Sequence, residues 1–206
     1  MTTRVIALTG KKWSGKDTAI ECVEDHTRLA YADPLKYAAM HLFDLTYEQV
    51  FDETWKDVVD PRYGKTPRQL LQLLGTDWVR NLFDKDHFVK LLRAKLMKEI
   101  LDRRGRGGTI FISDSRFDNE VKPARDVCGK VVHIRRPQTE QSCDTHESEA
   151  GISKELIDFH LLNDSDDKET LWQKMREIVE QVPPVDYDAL TARSMDSTNS
   201  GANATT

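Results

Sequence analysis

One stretch near the start of the chain, residues 9–18, limits the possible folds more than any other. It reads Thr-Gly-Lys-Lys-Trp-Ser-Gly-Lys-Asp-Thr, follows the apolar run at residues 5–8, and precedes a segment at 19–25 that can be helical. Glycines in such a loop let successive backbone N–H groups point inward at a polyphosphate, and the following helix directs its positive end at the same anion. A strand, a glycine loop, a lysine and a helix in this order predict a phosphate-binding loop.

The last position of this loop departs from the general pattern G-x-x-x-x-G-K-[ST]. Gly10, Gly15 and Lys16 fit the pattern, but Asp17 stands where serine or threonine is usual. Lys16 would bridge the β- and γ-phosphates of a nucleotide. A carboxylate beside a phosphate is repulsive unless a cation lies between them, so we predict that Asp17 faces Mg²⁺, directly or through water. Thr18 would then supply a hydroxyl contact to a phosphate. The alternative is a plain glycine turn with an exposed lysine.

Short apolar runs alternate with helical patterns along the chain. Strands are predicted at residues 4–8, 27–32, 109–114, 131–134 and 156–162. Helices are predicted at 35–43, from Thr66 to a break at Gly75, from Thr76 onward, at 86–101 and at 168–182. The charged, aromatic segment 46–65 is expected to form short helices and a mobile flap. This alternation predicts an α/β fold with a parallel sheet, helices on both faces, and a ligand at the carboxyl ends of the strands.

An acidic residue and a basic residue follow the most strand-like run of the chain. Asp114 ends that run and Arg116 comes two residues later. The strand end would lie beside the phosphate loop, where the acid could contact Mg²⁺ and the arginine could neutralise a transferred phosphoryl group or hold an acceptor phosphate. The alternative is that Asp114 caps a helix and Arg116 forms a surface ion pair.

Two basic residues stand in the first turns of predicted helices, where a positive charge opposes the helix dipole. Lys36 follows Asp33 and Pro34 at the end of the second predicted strand, and Arg68 follows a Thr-Pro pair. A cation in this position suggests an anion to bind. Solvated surface charge is the alternative for each.

A third group of candidates lies further along. Asp77 and Arg80 flank Trp78. The charged pair could belong to an acceptor site or be a simple helix ion pair, and Trp78 could stack on a base or pack in the core. Arg136 stands at the root of a polar segment, residues 136–152, that could close as a lid over the donor phosphates and exclude water.

Bulk properties exclude several classes of protein. The net charge of −5 argues against a general nucleic-acid-binding surface. The three cysteines show no C-x-x-C spacing, which predicts a reduced, cytoplasmic compartment. No signal peptide is visible and no segment reaches membrane-spanning length. The aromatic side chains between Tyr47 and Tyr63 could serve an interface, so a homodimer stays open.

Five motifs in the same order together resemble the phage deoxynucleoside monophosphate kinases. They are Gly10-x-x-x-Ser14-Gly15-Lys16-Asp17-Thr18, Ala32-Asp33-Pro34-Leu35-Lys36, Arg68-Gln69-Leu70-Leu71-Gln72-x-x-Gly75-Thr76-Asp77, Asp114-x-Arg116-Phe117-x-Asn119-Glu120 and His146-x-Ser148-Glu149. The similarity spans about residues 4–182, and Asp17 fits this family although it departs from the general loop pattern.

The resemblance implies a fold and an arrangement of segments. The implied fold is a three-layer α/β/α P-loop kinase domain of the nucleoside monophosphate kinase type over residues 1–182. A helical acceptor-binding insertion would occupy about 37–100 and a lid about 136–152. The composition of the chain end, which has almost nothing to bury, separately predicts a largely disordered tail at 183–206.

The resemblance also implies a reaction and a set of roles. ATP would phosphorylate a deoxynucleoside 5′-monophosphate to the diphosphate, with Mg²⁺ and no nucleic-acid or membrane partner. The expected donor-binding residues are Lys12, Ser14, Gly15, Lys16, Asp17, Thr18 and Arg136. The expected acceptor-binding residues are Asp33, Lys36, Arg68, Gln72, Asp77, Trp78 and Arg80. Lys16, Asp17, Asp114 and Arg116 would carry catalysis, with Asp17 and Asp114 on the metal.

Two rival functions stay open from the sequence. One is a P-loop kinase for another small phosphorylated acceptor, such as dephospho-coenzyme A or phosphomevalonate. The other is a nucleotide-binding module without transfer chemistry, although such a module has no need for basic residues that hold a second phosphate.

Overall fold

One parallel sheet forms the centre of the molecule. The computed structural model describes residues 1–139 and 151–191. Its strands are β1 (Thr3–Thr9), β2 (His26–Leu29), β3 (Gly108–Ile112), β4 (Lys130–Arg135) and β5 (Phe159–Leu162). They pair in parallel in the order β2-β3-β1-β4-β5. The predicted parallel sheet is confirmed, and the glycine loop leaves its central strand at the carboxyl edge.

Helices connect the strands. They are α1 (Lys16–Ile20), α2 (Ala32–Leu42), α3 (Tyr47–Phe51), α4 (Pro67–Gln72), a π-helix (Leu73–Phe83), α5 (His87–Asp102), α6 (Lys122–Arg125) and α7 (Lys168–Gln181). Short 3₁₀ turns lie at Asp118–Val121, Pro137–Thr139 and Lys154–Leu156. Thr66 caps α4 through a capping box with Gln69, and Pro67 occupies the first turn, as predicted.

Helices cover both faces of the sheet, which confirms the predicted three layers. On one face, Val5, Ala7 and Ile110 pack in a cluster with residues of α5 and α6. On the other face, Ile6 and Leu8 pack in a cluster with residues of α1 and α7. Because each strand is buried on both sides, it reads as a continuous apolar run rather than an alternating one.

A third, smaller hydrophobic cluster lies away from the sheet. It joins Ala39 of α2, Val50 of α3, and Leu70 and Leu74 of α4 and the π-helix. This cluster gives the segment between β2 and α5 a core of its own. Within the segment 37–100 that is predicted as an insertion, Leu92, Leu96 and Ile100 of α5 pack in the cluster that contains the sheet residues.

Two predicted boundaries differ from the structure. Gly75 does not break a helix, since the chain stays helical from Pro67 to Phe83. A β-carbon at Gly75 would lie 2.6 Å from Leu35 Cδ2, so this glycine allows close packing between the π-helix and α2. The second strand ends at Leu29 and α2 already begins at Ala32, before Pro34. The Asp114 carboxylate stabilises this early start by accepting the N–H groups of Tyr31 and Ala32.

The end of the described chain packs against the sheet. Val185 is buried in the cluster that contains α5, and the Tyr187 hydroxyl donates to Thr3 Oγ1 at 2.8 Å. The chain therefore stays ordered past the predicted domain end at residue 182, and residues 192–206 of the predicted tail lie outside the described residues. Most of the predicted lid lies outside them as well. No helix within residues 1–139 and 151–191 is long and apolar enough to cross a membrane.

Candidate active site

The loop after β1 has the backbone that its glycines predict. Gly10 and Gly15 have φ values of 136° and 99°, which side chains other than glycine rarely adopt. A β-carbon at Gly10 would lie 2.2 Å from the carbonyl oxygen of Ile134 on β4, so the loop runs directly against the neighbouring strand. Asn163 Nδ2, after β5, donates to the Ser14 carbonyl at 3.0 Å and holds the loop from outside.

Lys16 lies at the start of α1 and its ammonium group turns into this loop. Its Nζ donates to the carbonyl oxygens of Gly10 and Lys11, both at 2.7 Å. Burial lowers the pKa of Lys16 to about 8, and the positive charge of Arg116 adds to this effect. A bound polyphosphate would reverse the effect, because an adjacent anion favours the charged ammonium.

A cavity of about 290 Å³ opens at the carboxyl edge of the sheet, in front of this loop. It brings together nine of the sequence-predicted residues from six separate segments. These are Lys12, Lys16, Asp17, Lys36, Arg68, Gln72, Arg80, Asp114 and Arg116. Trp13, Tyr31, Phe88 and Phe117 contribute aromatic surface to the same cavity.

An ion-pair network joins the phosphate loop to the insertion across this cavity. Arg68 Nε lies 2.6 Å from Asp57 Oδ1, and its guanidinium also lies 3.0 Å from Glu53 Oε2. Lys12 of the loop pairs with the same two carboxylates at 3.0 and 3.3 Å. Lys56, which is buried, also pairs with Glu53. Burial raises the pKa of Glu53, but the hydrogen bonds and charges of Lys56 and Arg68 outweigh burial and bring it to about 2.

A second group of charges lies between β2 and α2. Arg28 of β2 is 3.2 Å from Asp33 and 3.7 Å from Asp17. Lys36 Nζ lies 3.9 Å from Asp33 and 4.7 Å from the centre of the Phe51 ring. Burial, together with the nearby charge of Lys56, lowers the pKa of Lys36. Asp33 therefore balances two cations at the cavity rather than facing the cavity itself.

The segment after β3 carries a third group of charges. Asp114 caps α2, as one of the two sequence interpretations expects, and it also lines the cavity. Six residues later, the buried carboxylate of Glu120 accepts the backbone N–H groups of Arg116 and Phe117 at 2.7 and 3.2 Å. Arg80 lies 3.6 Å from the other oxygen of Glu120 and stacks 3.5 Å from the centre of the Phe117 ring.

The donor set suits a magnesium ion that is shared with phosphates. The side chain of Asp17 is 84% exposed. Each carboxylate oxygen of Asp114 accepts one backbone N–H. Both carboxylates therefore keep free acceptor positions. Within the described residues, no group of three or more His, Cys, Asp or Glu side chains could hold a metal by itself. Mg²⁺ is usually held by one or two carboxylates, waters and the phosphates of a substrate, so this donor set fits it.

Several predicted residues lie outside the cavity. Asp77 and Trp78 are exposed on the outer side of the π-helix, where Trp78 is 47% exposed, and neither lines the cavity. Arg136 pairs with Asp166 at 2.8 Å, between the ends of β4 and β5. Ser14, Gly15 and Thr18 belong to the loop and the first turn of α1 but do not line the cavity.

Sequence reasoning missed several charged residues of the site. Glu53 and Asp57 stand in a segment interpreted as short helices and a mobile flap, and their partner Lys12 is more than 40 residues away. Arg28 looked like an ordinary strand residue. Glu120 stands within the motif around Arg116, but the sequence shows no sign of its burial beside Arg80.

Comparison with known proteins gives a consistent result. A sequence model of a protein family, described as "Deoxynucleotide monophosphate kinase", matches residues 48–175, which is more than half of the chain. A putative deoxynucleotide monophosphate kinase of Acanthamoeba polyphaga mimivirus is 35% identical over 176 residues, covering 77% of this chain and 88% of the viral protein.

Two further similarities are more limited. The deoxynucleotide monophosphate kinase of Escherichia phage RB69 is 37% identical over 116 residues, covering 54% of this chain and 44% of the phage protein. Among solved structures, the dephospho-CoA kinase from Campylobacter jejuni aligns with 87% of this chain and 97% of its own, with a TM-score of 0.42 and 14% identity. A similarity that weak carries no functional argument.

Proposed function

Because the chain belongs to the deoxynucleotide monophosphate kinase family, we propose that it transfers the γ-phosphoryl group of ATP to a deoxynucleoside 5′-monophosphate. The products are ADP and a deoxynucleoside diphosphate, a precursor for DNA synthesis. The observation that supports this proposal best is the cavity itself. Lys16 on one side and Lys36, Arg68, Arg80 and Arg116 on the other provide positive charge for two phosphorylated substrates that bind side by side.

The phosphate loop holds the donor in this proposal. Backbone N–H groups between Gly10 and Thr18 and the dipole of α1 surround the β- and γ-phosphates of ATP. Lys16 leaves its two carbonyl partners and pairs with these phosphates. Lys12 adds a second cation at the edge of the loop, where it now pairs with Glu53 and Asp57.

The cations opposite the loop hold the acceptor. Arg68 and Lys36 bind the phosphate of the monophosphate, and Arg116 lies where charge develops during transfer. Gln72 and the aromatic rings of the cavity contact the nucleoside. Asp77 and Trp78 have no place in this proposal, because their side chains lie outside the cavity.

The chemistry requires little beyond positioning and neutralisation of charge. The attacking atom is a phosphate oxygen, which is acidic enough to need no strong general base. The residues therefore align the two substrates for in-line transfer and stabilise the spreading negative charge of the transition state. Asp17 and Asp114 would hold Mg²⁺, which when bound supplies further positive charge to the donor phosphates.

The two rival functions make different predictions for one assay. ADP release is measured with ATP and Mg²⁺ against a panel of deoxy- and ribonucleoside monophosphates, dephospho-coenzyme A and phosphomevalonate. We expect ADP release that depends on a deoxynucleoside monophosphate. If no acceptor stimulates ADP release although ATP binds, a nucleotide-binding module is favoured. Release with dephospho-coenzyme A or phosphomevalonate alone would favour another kinase.

A matched pair of variants controls for a contaminating kinase. Lys16→Met removes the cation inside the loop, whereas Lys11→Met removes an exposed cation of the same loop that does not line the cavity. Acceptor-dependent release should disappear in the first variant and persist in the second. The predicted cytoplasmic location and the open question of a homodimer stay predictions.

A further inference from the structure

We infer that Glu120 is a positioning residue of this site, which directs Arg116 and Arg80 toward the acceptor without touching a substrate itself. The inference rests on the proposed function, since it concerns how the acceptor cations are held. It starts from the burial of the side chain: Glu120 is only 4% exposed, although it stands in a polar segment at the edge of the cavity. A carboxylate is rarely buried to this extent without a specific partner.

The first partner is the backbone that carries Arg116. Oε2 of Glu120 accepts the N–H groups of both Arg116 and Phe117, at 2.7 and 3.2 Å. The Glu120 N–H in turn donates to the Phe117 carbonyl at 2.9 Å, which closes the turn. Since the direction of a side chain follows from the backbone that carries it, these bonds set where the Arg116 guanidinium can reach.

The second partner is the guanidinium of Arg80. Its Nη1 lies 3.6 Å from Glu120 Oε1, its Nη2 donates to Asn119 Oδ1 at 2.6 Å, and its plane covers the Phe117 ring. All three contacts come from the segment between Phe117 and Glu120. One short segment thus holds two of the cations that line the cavity.

The longer stretch from Asp114 to Glu120, which contains this segment, is fixed to the start of α2 at both of its ends. Asp114 accepts two backbone N–H groups of α2, and the Tyr31 hydroxyl donates to the Glu120 carbonyl. These bonds leave the turn little freedom to move relative to the cavity. Glu120 is therefore part of a frame that joins β3, α2 and the π-helix around the acceptor side.

The charges around Glu120 show that its burial is costly. Burial raises the pKa of Glu120 to about 7, and Asp114 adds to this effect, while the hydrogen bonds from the backbone and the charge of Arg80 oppose it. Burial also raises the pKa of the Tyr31 hydroxyl, and the charge of Glu120 raises it further. A buried carboxylate that costs free energy is better explained by a positional requirement than by stability.

The test separates acceptor binding from stability. Glu120→Gln keeps the size of the side chain, but its amide offers one acceptor oxygen where the carboxylate offers two. We expect the KM for the monophosphate to rise about tenfold, because the neutral amide loses the charge that pairs with Arg80 and strengthens the bonds from the backbone N–H groups. The KM for ATP should change less than about twofold. Glu99→Gln is the control, because Glu99 accepts hydrogen bonds from Arg103 and Thr27 and does not line the cavity.

The possible outcomes are distinct. Equal changes in both KM values, or a loss of stability with normal kinetics in the folded fraction, would overturn the positioning role. If Glu120→Gln does not fold, Glu120→Asp is measured in the same way, because it keeps the charge but withdraws it from the backbone N–H groups. A rise in the monophosphate KM alone in that variant supports the inference, and unchanged kinetics overturn it. A wild-type chain without acceptor-dependent ADP release would contradict the proposed function instead.

Discussion

The phosphate loop and the wall of cations opposite it face each other across one cavity, but the chain builds them differently. The loop consists of consecutive residues between β1 and α1, and its shape follows from two glycines with positive φ. The cations Lys36, Arg68, Arg80 and Arg116, here called the acceptor wall, come from α2, α4, the π-helix and the segment after β3. The loop is thus a local structure, whereas the wall exists only when the whole domain is folded.

The two regions also differ in how their charges are balanced. Lys16 of the loop donates to two backbone carbonyl oxygens, and burial lowers its pKa to about 8. Two cations of the acceptor wall instead pair with carboxylates: Arg68 with Glu53 and Asp57, and Arg80 with Glu120. Lys16 therefore serves the loop alone, whereas Arg68 and Arg80 of the wall, and Lys12 at the edge of the loop, belong to networks in which other charges remain after a single change.

The largest effect is expected from removing the loop cation. In Lys16→Met, kcat should fall by about two to three orders of magnitude, because a preorganised positive charge at the transferred group is lost. Thermal stability should not decrease, since the charged ammonium is disfavoured by burial in the free protein. Steady-state kinetics and thermal unfolding measure the two effects, and a variant with near-normal kcat would contradict the role of Lys16.

The second effect concerns the backbone of the loop. In Gly10→Ala, the new methyl group meets the Ile134 carbonyl at 2.2 Å and φ is unfavourable, so the free energy of unfolding should fall by about 2–3 kcal/mol. Gly64→Ala is the control: its φ of 61° is also positive, but nothing lies within 4 Å of the added atom. The control should cost about 1 kcal/mol. Equal losses in chemical denaturation would show that contact with β4 does not shape the loop.

Removing one cation of the acceptor wall should have a smaller and more selective effect. In Arg68→Ala, the KM for the monophosphate should rise about tenfold, because other cations still line the cavity. The KM for ATP should change less, although Lys12 of the loop shares Glu53 and Asp57 with Arg68. Kinetics with each substrate varied in turn provide the measurement. Equal effects on the two KM values would show that Arg68 does not belong to the acceptor site.

The metal assignment provides a further comparison, because Asp17 belongs to the loop and Asp114 lies beside the wall. In Asp17→Asn, the Mg²⁺ concentration for half-maximal activity should rise about fivefold, since one negative ligand becomes neutral. A magnesium titration of ADP release measures this change. An unaltered Mg²⁺ dependence would show that Asp17 does not bind the metal.

The smallest effect is expected from the network that joins the two regions. The folded-state pKa of Glu53 is about 2, below its ordinary value of 4.5, so its contribution to stability is present above pH 4.5 and is lost as pH falls toward 2. The side chain is partly exposed, so we expect a contribution of about 1 kcal/mol or less. Chemical denaturation of wild type and Glu53→Gln at pH 5 and pH 3 should show the two curves converging at the lower pH. Parallel curves would mean that the network does not stabilise the fold.

Much of the fold could be predicted because its signals are local. The glycine loop, the apolar strands and the Thr66-Pro67 start of α4 each depend on neighbouring residues, and the structure confirms them. Gly75 misled the prediction because its role depends on Leu35, which lies 40 residues earlier. The early start of α2 escaped prediction for the same reason, since the carboxylate that stabilises it, that of Asp114, follows β3 about 80 residues later.

The sequence by itself determined the phosphate loop, the parallel α/β architecture and the family. The reason is that the pattern of apolar residues, the positions of the glycines and the order of the motifs can be read directly along the chain. Tertiary structure alone decided which charges meet. It brought Lys12 to Glu53 and Asp57, placed Glu120 beneath Arg80 and Arg116, and left Asp77 and Trp78 outside the cavity. The physical reason is that electrostatic interactions depend on distance and burial, and neither quantity can be obtained from spacing along the chain.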